Sequence, residues 1–275
     1  MQKLDHWPLA LRRRVKGVLT DIDDTLTTDG AITPDALQAL ASLREVGLPV
    51  IAVTGRPVGW SEQLASAWPL DALVAENGAV ALVPGIQNGL NLNIQAHRLL
   101  SKIYQQDAAT RMANFARMQA VAKRVLAEVP GTVLAQDSSG RETDIAFDHS
   151  EFTHLPQARI DQVVALLQSE GMNATVSSIH VNAWFGTHDK LSGARWILKA
   201  LWGRDLDAER DEWVYVGDST NDQVMFGFFP QSIGVSNVQR FVSQLVHRPR
   251  YITSSERGAG FAEVAARVLD ARRGA

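Results

Sequence analysis

Residues 18–27 are Val18-Leu19-Thr20-Asp21-Ile22-Asp23-Asp24-Thr25-Leu26-Thr27, in which an apolar run ends in three carboxylates within four positions. The apolar run predicts a buried strand, so the carboxylates lie at its C-terminal end, where open α/β sheets bind ligands. Side chains two positions apart on an extended segment share a face, so we expect Asp21 and Asp23 to converge while Asp24 points away. These like charges require a cation or a shared proton. The alternative is an acidic turn without a ligand.

The composition limits the class of protein. The chain has 275 residues, 45% hydrophobic and 21% charged, which is enough for one large domain or two modest ones. A net charge of −3 offers no broad basic surface for nucleic acid, and the lack of cysteine excludes disulfides and a cysteine nucleophile. No apolar run approaches the ~18–20 residues of a membrane span, and no signal-peptide core follows Met1. We therefore expect a cytoplasmic protein without a membrane partner.

The first third of the chain alternates strands and helices. The predicted strands are 15–21, 48–53 and 72–75, and the predicted helices are 34–46 and 57–68. Thr33 is the expected N-cap of the first helix, with Pro34 at its first position. Glu76-Asn77-Gly78-Ala79 is typical of a hairpin turn. This strand–helix–strand spacing predicts a parallel sheet with right-handed crossovers.

The middle of the chain has a different pattern, and the last third returns to the first. Residues 85–106 favour no element. The elements predicted after them are helices 108–129 and 155–169, a half-exposed strand 141–147, short strands 173–177 and 179–184, helix 190–201, strands 212–216, 231–235 and 250–253, and helix 260–273. We therefore predict a Rossmann-like α/β core formed by residues 1–83 and 187–275, with an α+β cap domain inserted at residues 84–186.

Four polar segments follow predicted strands or begin predicted helices. They are Asp21-Ile22-Asp23-Asp24-Thr25, Thr54-Gly55-Arg56, Lys190, and Gly217-Asp218-Ser219-Thr220-Asn221-Asp222. A hydroxyl and backbone amides at a helix start are typical of an anion site. An ammonium at a helix start opposes the helix dipole, so Lys190 is expected to have an anionic partner. Carboxylates suit Mg²⁺, which also binds substrate phosphate. The segments together predict a hard-cation site facing a phosphate site.

This arrangement suits phosphoryl transfer, in which positioning and charge neutralisation are the catalytic problem. Asp21 fits a nucleophile that forms an aspartyl-phosphate, and Asp23 fits the group that protonates the leaving oxygen and later activates water. Each segment alone has an ordinary structural explanation, such as a strand-to-helix turn at Thr54, a surface lysine at 190 or a polar turn at Asp218.

The four segments resemble the four motifs of the haloacid dehalogenase-like (HAD) phosphatase superfamily. The insert between the second and third motifs resembles the type IIB cap of the Cof-like sugar-phosphate phosphatases. The resemblance implies Asp21 as nucleophile and Asp23 as general acid/base. It implies Mg²⁺ held by Asp21, the Asp23 backbone carbonyl and Asp218. Asp222 is expected either to contact the metal directly or to hold the groups that do. The residues expected to bind the phosphoryl group or other parts of the substrate are Thr54, Gly55, Arg56, Lys190 and Asn221. One departure is Asp24, where many members of the superfamily carry Gly.

The function predicted from the sequence is Mg²⁺-dependent hydrolysis of a small phosphorylated metabolite, most simply a sugar phosphate. A phosphomutase or phosphotransferase with the same aspartyl-phosphate is the closest alternative. A phospho-accepting signalling domain is a third, although the length and the second acidic loop oppose it. Cap residues predicted to face the site are Arg141-Glu142-Thr143-Asp144 and His180-Val181-Asn182, each equally explained as an exposed sheet face. The sequence specifies neither the substrate nor the oligomeric state.

Overall fold

The computed structural model describes residues 1–85 and 100–273. The strands in this part of the chain are β1 (Gln2–Lys3), β2 (Gly17–Thr20), β3 (Thr27–Thr28), β4 (Ala31–Ile32), β5 (Val50–Val53), β6 (Ala72–Ala75), β7 (Val80–Pro84), β8 (Leu100–Tyr104), β9 (Val133–Leu134), β10 (Ile145–Asp148), β11 (Asn173–Val176), β12 (His180–Trp184), β13 (Trp213–Gly217), β14 (Ser232–Gly234) and β15 (Tyr251–Ile252). The helices are α1 (Leu9–Arg13), α2 (Pro34–Glu45), α3 (Val58–Ala67), α4 (Ala108–Glu128), α5 (Gln157–Ser169), α6 (Lys190–Trp202), α7 (Leu206–Glu209), α8 (Gln223–Phe228) and α9 (Arg257–Arg273). None of them is long and apolar enough to cross a bilayer.

The larger sheet has the strand order β1-β15-β14-β13-β2-β5-β6-β7-β8. Its strands are parallel from β1 to β6, and β7 and β8 continue it antiparallel. The central strands are continuous buried apolar runs because helices cover both faces. Val18 packs toward α2, α3 and α9, whereas its neighbour Leu19 packs toward α6 and α8. This layered sheet is the predicted α/β core.

The inserted region forms a second, antiparallel sheet with the order β11-β12-β10-β9. Its register pairs Ile145 with Ala183 and Phe147 with Val181. The apolar faces of α4 and α5 supply Met118, Val163 and Leu167 to the same hydrophobic cluster as these strands. An α+β cap on an α/β core is thus confirmed as the fold.

Two expectations about individual elements need correction, and one is confirmed with a difference in detail. Strand β8 lies inside the range predicted for the cap, but it pairs with β7 and extends the large sheet, so a cap beginning at residue 84 begins too early. We propose 105–186 as the cap; residues 86–99 of the unassigned stretch lie outside the described part of the chain. Thr33 is the N-cap of α2 as predicted, although its side chain makes no capping hydrogen bond. The half-exposed strand at 141–147 is instead β10, buried throughout.

The strand order explains where the polar segments meet. Strands β13, β2 and β5 are adjacent and parallel. The carboxyl ends of adjacent parallel strands meet at one edge of the sheet. The segments beginning at Asp21, Thr54 and Asp218 therefore lie side by side.

Candidate active site

A cluster of three buried carboxylates lies at this edge of the sheet. Asp21, Asp218 and Asp222 each present one oxygen, and these oxygens lie within 4.8 Å of one another. Asp21 is fixed by its backbone amide, which donates to the carbonyl of Val216 on β13 (2.9 Å). The turn after β13 carries the other two carboxylates. Two distant parts of the sequence thus meet as predicted.

Lys190, the first residue of α6, lies against this cluster. Its ammonium donates to Asp21 Oδ1 and Asp222 Oδ1, both at 2.7 Å. The side chain is buried, which by itself lowers the pKa of the ammonium, but the two carboxylates reverse this and raise it above its usual value. A Cβ on Gly193 would lie 2.5 Å from Gly78 Cα, so glycine lets the start of α6 approach the core closely. The expected anionic partners of Lys190 are these carboxylates.

The carboxylate of Asp222 is fully engaged by protein donors. Its Oδ1 accepts from Lys190 and from the Tyr215 hydroxyl (2.5 Å). Its Oδ2 accepts from the backbone amides of Asp218 (2.8 Å) and Ser219 (3.1 Å). Asp222 thus orients the Lys190 ammonium and the turn after β13. Because its oxygens are already occupied by these donors, we expect Asp222 to support the residues that bind a metal and not to contact the metal itself.

The charge state of the other two carboxylates depends on burial. Burial raises the pKa of Asp21 to about 8; Lys190 opposes this effect, and the charges of Asp222 and Asp23 add to it. Burial also raises the pKa of Asp218 well above its usual range, and Asp222 and Asp21 add to the shift. A nearby cation removes both penalties by favouring the charged forms.

The donor set fits a hard divalent cation. Asp218 Oδ1 is buried and has no hydrogen-bond partner within residues 1–85 and 100–273, whereas Oδ2 accepts from Asn237 Nδ2 (3.1 Å). An unsatisfied buried carboxylate oxygen beside further carboxylates is the kind of ligand that Mg²⁺ takes.

The carboxylate of Asp23 faces the same small cavity as Asp21 but pairs with a different cation. Arg56 Nε donates to both of its oxygens, at 3.0 and 3.1 Å. Burial raises the pKa of Asp23, and Arg56 opposes this. The side chain therefore lies apart from the three-carboxylate cluster, and its backbone carbonyl remains the predicted metal ligand. Asp24 turns away to an ion pair with Arg257 (3.0 Å) and has a φ of 54°, a left-handed backbone that glycine also adopts easily.

The loop after β5 lies beneath the cap. Thr54 is buried, and its hydroxyl accepts from the Arg56 amide (3.0 Å). The carbonyl of Gly55 accepts from two cap side chains, Arg141 (3.0 Å) and Asn182 (2.9 Å). Arg56 was expected to contact substrate, but its other nitrogens bind the cap carboxylates Asp137 (3.1 Å) and Glu151 (2.7 Å).

Between core and cap is a cavity of about 10 Å³, which is room for about one water molecule. It is lined by Asp21, Asp23, Thr54, Gly55, Arg56, Ser177, Ser178, Ile179, His180, Asn182, Ser219 and Asn221. The predicted substrate residue Asn221 is thus beside the two candidate catalytic residues. Of the predicted cap positions, His180 and Asn182 line this cavity and Arg141 donates to the Gly55 carbonyl, whereas Glu142 binds Lys102 and Tyr104 elsewhere.

Several residues of the site carried no sequence signal. Asp137 lies in a short 3-10 helix and Glu151 in a bend, and Asn237 follows Asp218 at no motif spacing. The sequence predicts only a turn at Glu76, yet the buried carboxylate of Glu76 accepts the backbone amides of Val58 and Glu142 and so joins core to cap. A buried-strand position two residues before Gly217 is the one available hint for Tyr215.

Comparison with known proteins agrees with the fold. A sequence model described as haloacid dehalogenase-like hydrolase matches residues 18–264. Among solved structures, the sucrose-phosphatase of Synechocystis sp. PCC6803 in complex with sucrose and phosphate is 16% identical, with 93% of this chain and 98% of that one covered and a TM-score of 0.64. A protein of Plasmodium vivax described as a HAD/Cof-like hydrolase is 16% identical, with coverages of 94% and 96% and a TM-score of 0.65. The HAD subclass IIB sugar phosphatase BT4131 is 14% identical, with coverages of 94% and 99% and a TM-score of 0.61. At these identities the likeness concerns the fold.

Proposed function

The chain belongs to the haloacid dehalogenase-like hydrolases, and from that premise we propose that it is a Mg²⁺-dependent phosphatase that hydrolyses a small phosphomonoester such as a sugar phosphate. The observation that carries the proposal is the buried ammonium of Lys190, held at 2.7 Å from both Asp21 and Asp222 beside the hydroxyl-bearing loop at Thr54. A carboxylate fixed in this way is poised for attack on phosphorus, and the loop amides suit phosphoryl oxygens.

In the proposed first step, an Asp21 oxygen attacks phosphorus, the bond from phosphorus to the leaving oxygen breaks, and Asp23 gives that oxygen a proton. In the second step, Asp23 accepts a proton from water as the water oxygen attacks phosphorus, and the bond to Asp21 breaks. Thr54, its neighbouring amides and Lys190 hold the phosphoryl oxygens.

The metal would be held by Asp21, Asp218 and the Asp23 carbonyl, with Asp222 orienting the group. When bound, Mg²⁺ neutralises charge on the phosphoryl group and on the carboxylates. The unsatisfied Asp218 Oδ1 supports this assignment.

A sugar phosphate as the substrate class is supported by two observations. The cap side of the cavity presents hydroxyls, an imidazole and an amide from Ser177, Ser178, His180 and Asn182, which suit hydroxyl groups of a ligand. The structural neighbours described as sucrose-phosphatase and sugar phosphatase share this fold.

The test is phosphate release from p-nitrophenyl phosphate and from a panel of phosphorylated sugars, glycerates and nucleotides, with and without Mg²⁺. We expect Asp21→Asn to abolish release while circular dichroism shows a retained fold. Asp24→Asn is the matched control, because it lies in the same segment outside the cluster and asparagine accepts a positive φ. Undiminished hydrolysis by Asp21→Asn would refute the proposal.

Transfer to a second hydroxyl is the alternative that one observation favours. A cavity between core and cap with room for about one water molecule indicates a closed state that excludes bulk water, which phosphotransferases and phosphomutases need. Analysis of products in the presence of acceptor sugars separates the two: free phosphate indicates hydrolysis, and a new phosphorylated sugar indicates transfer.

A further inference from the structure

Arg56 connects the active site to the cap through three carboxylates. The residue belongs to the core loop after β5 and is only 6% exposed. One partner, Asp23, lies in the core; the other two, Asp137 and Glu151, belong to the cap. The Arg56 guanidinium also lies over the Trp60 ring, 4.6 Å from its centroid. Because a guanidinium is planar and its donors point in fixed directions, these contacts set its orientation.

The contact with Asp23 fixes a carboxylate without saturating it. A single N–H of Arg56 is shared between the two Asp23 oxygens, at 3.0 and 3.1 Å. Either oxygen can carry a proton while the other keeps the contact. Asp23 is thus held in one orientation and still able to exchange a proton.

The cap carboxylates that hold Arg56 are themselves held. Glu151 Oε2 contacts His180 Nε2 at 2.8 Å. The loop that carries Glu151 is fastened by Asp148, whose carboxylate accepts the backbone amides of Ser150, Glu151, Phe152 and Thr153 at 2.9–3.0 Å. Burial raises the pKa of Glu151, but hydrogen bonds from His180 and Arg56 outweigh it and lower the pKa to about 2, so the group is ionised.

Substrate entry requires these contacts to break. The cavity that Asp21 and Asp23 line is enclosed between core and cap, so the cap must move away from the core for substrate to enter. When the cap moves, Arg56 loses its contacts with Asp137 and Glu151 and retains only the contact with Asp23. Its long side chain then regains rotamer freedom, which is lost again when the cap closes. Asp23 is therefore firmly oriented only when the cap is closed.

We propose that Arg56 is a positioning residue that relays closure of the cap to Asp23. Glu151 and Asp137 fix Arg56, and Arg56 orients the Asp23 carboxylate toward the leaving oxygen. The inference rests on the proposed function, in which Asp23 gives its proton to that oxygen. It makes proton transfer contingent on a closed cap, so the phosphoryl group is not released into an open site.

The test uses aryl phosphates whose leaving groups differ in their need for a proton. p-Nitrophenolate leaves readily without protonation. Phenol has a pKa near 10, so release of phenolate is accelerated much more by a general acid. Rapid-mixing measurement of the first phenol or p-nitrophenol released reports the phosphorylation step alone. For Arg56→Gln we expect the phenyl phosphate rate to fall about 10-fold or more beyond the fall for p-nitrophenyl phosphate, with KM little changed.

Two more variants test which property of the Arg56 contacts matters. One keeps the charge of Arg56 but changes its shape, and the other changes a cap partner of Arg56 while leaving the core residues intact. Arg56→Lys keeps the charge but loses the planar fork, so we expect it to resemble Arg56→Gln. Glu151→Gln weakens only the contact between Arg56 and the cap. It should also lower the rate for phenyl phosphate more than the rate for p-nitrophenyl phosphate, which keeps the inference testable if Arg56→Gln does not fold. Arg195→Gln, which breaks an exposed ion pair with Asp207, is the matched control and should show no selective loss of rate on phenyl phosphate.

Equal losses on both substrates in Arg56→Gln and Glu151→Gln would overturn the positioning role and leave a structural one. Wild-type rates in both would overturn it as well. Asp21→Asn distinguishes this failure from failure of the proposed function: if Asp21→Asn is inactive while the Arg56 and Glu151 variants are unselective, only the positioning inference is wrong. If Asp21→Asn is active, the proposed function is wrong.

Discussion

We predict that the burial of His188 makes part of the protein's stability depend on pH, and that replacing His188 with phenylalanine removes that part. The ring is 4% exposed and stacks on Trp184 with centroids 5.6 Å apart. Neither ring nitrogen has a hydrogen-bond partner in the described ranges 1–85 and 100–273. Burial therefore lowers the pKa of His188 to about 4, and Asp189 opposes this only weakly.

The sign and size of the effect follow from proton linkage. An unfolded histidine has a pKa of about 6.5, so between pH 6.5 and 4 the unfolded chain binds a proton that the folded protein does not. The contribution of neutral His188 is complete above pH 6.5 and is lost as the pH falls toward 4. Between pH 7.5 and pH 5.0 the free energy of unfolding should decrease by about 2 kcal/mol from this group.

Urea unfolding at the two pH values, followed by tryptophan fluorescence, measures the effect. Because other groups also titrate, the informative quantity is the pH-dependent loss in the wild type minus that in His188→Phe, which retains a ring on Trp184. His154→Gln, a change at an exposed cap histidine, is the control and should lose as much stability as the wild type. Equal losses in the wild type and His188→Phe would refute the reasoning.

Three further perturbations test the contacts around the site. In Gly55→Ala the new Cβ would lie 2.3 Å from Asn182 Nδ2, so the cap is displaced and kcat/KM for p-nitrophenyl phosphate should fall about 10²-fold, with partial recovery when Asn182→Ala is added; no recovery would contradict this clash. Asp218→Asn removes a carboxylate of the three-carboxylate cluster and should weaken Mg²⁺ binding in calorimetry about 10-fold or more; an unchanged Mg²⁺ affinity would contradict it. Glu76→Gln replaces a charged acceptor of backbone amides with an amide that also carries donors, and should lower the free energy of unfolding by about 2–3 kcal/mol in urea, whereas Glu62→Gln at the surface should have little effect.

The sequence predicted the core and its chemical groups better than the contacts of the cap. Strands β2, β5, β6 and β13 are short apolar runs buried on both faces, so their own composition revealed them. The sequence also placed the main site residues together. Asp21 and Asp218 each follow a strand of the same parallel sheet, and Lys190 begins a helix that packs on that sheet.

What the sequence did not predict depends on how separate elements pack. Glu151 and Asp137 reach Arg56 only because the cap is docked on the core, and neither lies in a periodic segment. Strand β8 has a mixed sequence, and its place in the sheet comes from pairing with β7. Thr33 occupies the N-cap position of α2, but its hydroxyl makes no hydrogen bond there. Local sequence carries the secondary structure here, whereas the site's ion pairs require the tertiary arrangement.

The position of β2 between β5 and β13 also determines when the site can form as the chain leaves the ribosome. Gly17 and Trp213 are partners in the sheet, although the whole cap is synthesised between them. The cap's strands and helices are contiguous in sequence and pair with one another, so they can fold during translation. Until β13 emerges, β2 is an apolar edge strand with unpaired backbone groups. We therefore expect ribosome-bound chains that end before Trp213 to lack the carboxylate cluster and to expose the edge of β2.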